Sequence, residues 1–220
     1  EDNPLSSGKV EIKYMTAKEE DILTNSSFIK KGNVLDKLLE SVIISKIDID
    51  DLIVGDKNAL LIATRILGYG SQYEVEINGE IENIDLSQLE NKEFDSSQIT
   101  QGLNEFNFTL PHTDTPITYK ILTGRDEKKL EKEIEGIKRI KKDSNPSLST
   151  RLKYIITSVK GDIERKSINE FVDVYLLAKD SKALRDHIKE TQPDVDLNVI
   201  LESGSEVRIP IGLGFFWPDA

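Results

Sequence analysis

The sequence predicts an α+β fold: helices packed on antiparallel β-hairpins, with a helical insertion before a C-terminal hairpin. Three observations lead there. Helix and strand patterns come in separate blocks, β-α-α-α-β-β-β-β, then four helices, then β-β, rather than in alternation. Asn78-Gly79 lies between the alternating runs "QYEVEI" and "IENIDL", a type I′ hairpin signal. From Asp126 the chain turns to nearly continuous charge, "DEKKLEKEIEGIKRIKK", which marks a change of substructure. The expected organisation is an α+β core over 1–124, rejoined by the hairpin of 196–220, with a helical subdomain over 125–195.

Each element follows from its local pattern. "VEIKYM" (10–15) alternates and reads as a strand. Thr16 and Glu19 form a capping box for a short helix to about Leu23. Residues 33–44 carry Val34, Leu35, Leu38, Leu39, Val42 and Ile43 on one helical stripe. Asp56 is placed to cap the next helix, whose Ala59, Leu60, Leu61, Ile62, Ala63, Ile66 and Leu67 predict burial on most sides. Gly68 and Gly70 supply its stop. "FNFTLP" and "ITYKIL" (117–122) are further strands, and a mobile loop precedes them. Helices are expected over 148–161, 168–180 and 181–194, the last capped by Ser181. "DLNVILES" and "EVRIPIG" flank the turn Ser203-Gly204-Ser205.

Composition narrows the function classes. The chain has 220 residues, 37% hydrophobic and 31% charged, enough for a genuine core and without a membrane-spanning apolar run. No signal peptide is visible, and a start on Glu1 rather than Met leads one to expect residues before it. With no cysteine there are no disulfides or thiolate metal sites, and His112 and His187 are too far apart in sequence to suggest a zinc site. A net charge of −11 makes a DNA backbone a poor partner and favours protein partners.

The sharper features are contact features. Leu130, Ile134 and Ile137, continued by Ile140, form a narrow stripe suited to a seam against a partner or another copy of the chain. On that reading Ile134→Asp weakens assembly and leaves monomer folding largely intact. Phe215, Phe216 and Trp217 are consecutive aromatics that either fold into a core or anchor a partner. Arg65, in an apolar helix, needs a carboxylate or several carbonyls, with a structural ion pair the first expectation. Asp48, Asp50, Asp51 and Asp56 do not match a calcium loop, since Ile53 stands where the glycine is required. "GLGF" (212–215) lacks the following strand and helix of a carboxylate-binding loop. "NSS" (25–27) and "NFT" (107–109) fit the glycosylation sequon, but nothing else suggests secretion. No nucleophile-and-base motif, phosphate loop, metal set or cofactor fingerprint appears, so no enzymatic activity and no cofactor are expected.

Taken as a set, "VEIKYMTAKEEDILTN", "IKKGNVLDKLLES", "DDLIVGDKNALLIATRILGYGSQYEVEI" and "FFWP" resemble the T4-like bacteriophage baseplate hub protein family. The resemblance covers roughly residues 3–122 and, less well, the last 25, but not the central helical stretch. It implies a component or assembly factor of a contractile tail baseplate hub. Other tail or hub proteins would be its partners, with a homo-oligomer as a further expectation. It would be found in the host cytoplasm during assembly and in the tail baseplate. The alternative is a transient assembly chaperone absent from the mature virion. The resemblance also implies a short "LPS-G-Y"-like arm before Glu1. The resemblance further implies that some relatives carry Cys-x-x-Cys knuckles after "YEVEI" and in the final hairpin, which would make a zinc ribbon. Here "NGE" (78–80) and "ESGSE" (202–206) stand there, so no zinc is expected and turn chemistry and packing must replace it.

Overall fold

The computed structural model describes residues 8–77, 80–92, 100, 102–140, 146–201 and 204–217. In chain order the elements are α1 (Ala17–Leu23), α2 (Ser26–Lys30), α3 (Val34–Val42), α4 (Val54–Tyr69), β1 (Gln72–Ile77), β2 (Glu80–Asp85), β3 (Phe106–Leu110), β4 (Thr115–Tyr119), α5 (Gly124–Ile140), α6 (Ser147–Ile155), β5 (Ile156–Val159), α7 (Arg165–Glu170), α8 (Ala178–Thr191), β6 (Asn198–Ile200) and β7 (Glu206–Arg208). All described strand pairs are antiparallel, so the protein is α+β. The Asn78-Gly79 turn, Glu202 and Ser203 lie outside the described residues.

The chain forms two compact units. One comprises Glu1–Ile49, Val54–Lys92 and Pro193–Ala220; the other comprises Asp50–Ile53 and Glu93–Gln192. The division thus falls near residue 92 rather than 124. The reason is strand pairing: β4 lies between β3 and β5, and β5 follows the helices α5 and α6. The second unit is therefore not purely helical.

In the first unit the expected strand over 10–15 shrinks to one bridge, Ile12 to Ile43, because α1 begins at Ala17 and α3 ends at Val42. The α3 stripe is inward, with Leu38, Leu39 and Val42 fully buried. α4 begins at Val54, so Asp56 lies in its first turn, where a negative charge favours the helix dipole, rather than at its cap. Gly55 packs so tightly that a Cβ would meet the Pro193 carbonyl at 2.1 Å. Gly68 is still inside the helix, and the stop is Gly70, with φ +86°. α4 is less enclosed than its composition suggests: Leu67 and Ala59 are exposed, while Thr64 and Arg65 are buried. The last hairpin does not extend the β1–β2 sheet; β6 and β7 form their own. The chain before them does pair back, Asn91 bridging Val195.

The core of the second unit gathers Leu110, Ile117 and Tyr119 from the sheet, Ile156 from β5, and Leu130, Leu152, Ile168 and Leu184 from α5 to α8. "ITSV", expected as helix, is strand β5, as its β-branched residues prefer. α8 starts at Ala178, so Ser181 is buried in its first turn and is not its cap. Its neighbour Asp180, fully buried, accepts the His112 N–H (2.8 Å) and the Thr113 hydroxyl (2.9 Å), which fastens the β3–β4 turn to α8.

His187 of α8 stacks on Phe108 at 4.5 Å and meets Tyr119 edge-on. Its Nε2 is buried with no hydrogen-bond partner among the described residues. Burial lowers its pKa from the ordinary 6.5, against a smaller opposing pull from Glu190. A histidine held neutral in the fold contributes stability above about pH 6.5, and that stability is lost as pH falls through the depressed value. We expect His187→Phe to flatten the pH dependence of unfolding below about pH 6.5 without loss of stability at pH 8, as measured by urea titrations across that range.

Candidate functional site

The C-terminal aromatics are placed by Arg65. Arg65 is 1% exposed, and among the described residues its guanidinium bonds carbonyls and no carboxylate. Nε donates to the Phe215 carbonyl (3.1 Å), Nη1 to Gly70 (2.9 Å) and Nη2 to Gln72 (3.3 Å). The Tyr69 ring lies under it at 5.2 Å. The expected ion pair is thus replaced by backbone carbonyls at the exit of α4 and at the C-terminus, which suits a planar fork of donors. Burial lowers the Arg65 pKa, partly offset by Tyr69 and Tyr73. Phe215 packs on Tyr73 at 5.2 Å and on Phe216 at 5.5 Å, and both phenylalanines are buried. Phe215 and Phe216 therefore serve the first unit's own core, while Trp217 is half-buried.

A similar division splits the α5 stripe. Leu130 is 1% exposed in the second unit's core, and Ile134 packs against that core. Ile137 is half-buried and Ile140 is exposed, so only the end of the stripe faces outward.

Among the described residues, a cluster of exposed apolar side chains close in sequence follows α7. Residues Phe171–Tyr175 make a π-helical turn, with the Leu176 N–H bonded to the Phe171 carbonyl at 2.8 Å. A regular α-helix would align Ile168, Phe171, Val172 and Tyr175 on one face. The wider turn changes the phase: Ile168 and Val172 stay buried and Tyr175 swings out. Val174, Tyr175 and Leu177 are 68%, 58% and 50% exposed. The turn is tied down on its other side by the Asp173–Lys153 ion pair (2.7 Å). Such turns occur frequently at functional sites. The sequence signal was there: a helical period that runs through "INEFVDVYLL" leaves more apolar residues than one face can hold.

In the first unit a groove of about 430 Å³ runs between β2, the turn after it and β6. Ile84 and Leu201 line it as buried apolar residues, and Asp85, Glu90 and Asp196 line it as acidic residues, with Asp85 Oδ1 also accepting the Ser87 N–H (3.0 Å) and hydroxyl (2.7 Å).

Of the acidic cluster, Asp50 pairs with Lys128 (2.6 Å) and Asp51 with Arg125 (3.0 Å). Among the described residues no group of three or more His, Asp or Glu is arranged to hold a metal ion, and no helix is long and apolar enough to cross a membrane. Comparison with protein-family models, curated proteins and solved structures finds no match.

Proposed function

We propose that this chain acts through protein–protein contact, as a structural or assembly component of a contractile bacteriophage tail baseplate hub. The observation that carries the contact reading is the ridge of Val174, Tyr175 and Leu177: three large apolar side chains within four positions, turned outward by a π-helical turn. Exposed apolar groups concentrated in this way mark interaction sites more often than scattered ones do. The acidic net charge of −11 suits a soluble contact protein, and the motif set described above supplies the baseplate assignment. A transient assembly chaperone remains the second reading, favoured by the same ridge.

The test is capture of partners from cells infected with the parent phage, with this chain as bait and mass spectrometry to identify the prey. Tail or hub proteins are expected with the wild-type chain, and Tyr175→Ser with Leu177→Ser is expected to reduce their recovery by about tenfold while unfolding is unchanged. Recovery of no tail protein would sink the proposal. Mass spectrometry of the purified virion separates the two roles, because a chaperone is absent from it. Ile134→Asp now has a different expected outcome: it inserts a carboxylate against the core around Leu130, so the second unit should lose about 2 kcal/mol in denaturant titration.

A further inference from the structure

We infer that the groove between β2 and β6 is a docking site for an extended, basic segment of a protein partner, which adds as a strand between the two sheet edges. The inference rests on the reading of the chain as a contact protein and names the chemistry of one partner; it does not depend on the partner's origin. It arises from backbone register. In an antiparallel pair, residues alternate between bonding their partner strand and facing away. The Leu86 N–H bonds the Ser71 carbonyl at 2.8 Å, next to the pair Gln72–Asp85. Hence Ile84 bonds toward β1, while Asn83 and Asp85 turn their N–H and C=O outward. The Ile209 N–H bonds Leu197 (2.8 Å) and the Leu201 N–H bonds Ser205 (2.9 Å). Hence Val199 bonds toward β7, while Asn198 and Ile200 face away. The Asn198 N–H is taken by the Asp196 carboxylate at 3.0 Å. All four outward-facing residues, Asn83, Asp85, Asn198 and Ile200, line the one groove.

Two edges facing one groove form a template for strand addition. The side chains state the preference. The apolar contributions of Ile84 and Leu201 suit alternate apolar residues of an incoming strand. Asp85, Glu90 and Asp196 suit lysine or arginine at the intervening positions, and the described lining residues include no Lys, Arg or His. A groove of about 430 Å³ falls within the range of specific binding sites.

The test uses a fluorescent peptide of about six residues alternating lysine and valine, the length of an ordinary strand. Its control is the same peptide with alternate amides N-methylated, which keeps charge and apolar surface but blocks one of the peptide's two edges, so that it cannot pair with both β2 and β6. Anisotropy should show binding of the first and at least about tenfold weaker binding of the second. Asn83→Pro should weaken the first peptide to a similar degree, because proline is tolerated on an edge where the N–H faces away from the ladder. Equal affinity for the two peptides, or no binding of either, overturns strand docking. If Asn83→Pro fails to fold, the comparison of peptides on the wild-type chain decides alone. Capture of tail proteins from infected cells without peptide binding overturns the groove and leaves the contact reading standing. Peptide binding without such capture supports the groove and removes the baseplate reading.

Discussion

Arg65→Met is expected to destabilise the first unit by about 2–4 kcal/mol, measured as a shift of the denaturant midpoint at unchanged slope. Methionine keeps the length and much of the apolar stem, so little packing is lost. What disappears is the donor set. The Phe215 carbonyl is buried and would be left without a partner; the Gly70 and Gln72 carbonyls are nearer water and lose less. An unsatisfied buried carbonyl accounts for about 1–3 kcal/mol, and the other two bonds for about 1 kcal/mol together. Arg65→Lys should fall between, because a point charge cannot serve three carbonyls spread around a plane. The same variants carry a local reporter. Trp217 is the sole tryptophan and follows the residue pair that Arg65 holds, so its emission should shift to the red before global unfolding in Arg65→Met. An unchanged midpoint in Arg65→Met would mean that the carbonyls find other donors.

Arg65 also marks where sequence patterns stop being informative. Its burial was legible, because an arginine in so apolar a helix cannot reach water from every face. Its partners were not: one lies 150 positions away, and carbonyls carry no residue signature. The same contrast holds for whole elements. The α3 stripe and strands β3 and β4 follow from periods of 3.6 and 2, which are properties of a few adjacent residues. The unit boundary near residue 92 depends on β4 meeting β5 across two intervening helices, a non-local choice with no local marker. The apolar period of α6 runs on unbroken through Ile156–Val159 and predicts helix there, yet these residues form β5, in keeping with their β-branched side chains. The π-helical turn lies between these cases. Its apolar excess was visible, but the outward rotation of Tyr175 follows from one extra residue in a turn, which periodicity alone does not place.

The C-terminal aromatics show how this affects function. From sequence, Phe215, Phe216 and Trp217 could serve a core or a partner. In the fold the first two are enclosed by Tyr73 and the Arg65 node, so any contact they make with a partner would require the first unit to open. Val174, Tyr175 and Leu177 are among the large apolar side chains that do face outward, in a segment whose local pattern reads as an ordinary helix.

Glu19→Gln is the second large expected effect, about 3 kcal/mol near neutral pH. Glu19 is fully buried, and its carboxylate accepts the Ser41 hydroxyl (2.6 Å), the Thr16 hydroxyl (2.7 Å), the Thr16 N–H (2.9 Å) and the Lys13 ammonium (3.1 Å). The capping interaction read from sequence is therefore one part of a node that joins α1 to α3. Burial alone would raise the Glu19 pKa, but the bonds from Ser41, Thr16 and Lys13 outweigh it and hold the group well below the ordinary carboxylate range. Glutamine has the same shape, yet it places an NH2 group among donors and removes the charge they stabilise. The pH dependence separates charge from shape. A depressed carboxylate pKa contributes stability that is present above the unfolded value of about 4.5 and is lost as pH falls below it. The wild-type chain should thus lose its advantage over Glu19→Gln progressively below about pH 5, whereas a cost due to shape alone would persist unchanged at acid pH. Denaturant titrations of both chains from neutral pH down to the onset of acid unfolding distinguish the two. A constant difference would show that the node acts through packing and not through the ionised carboxylate.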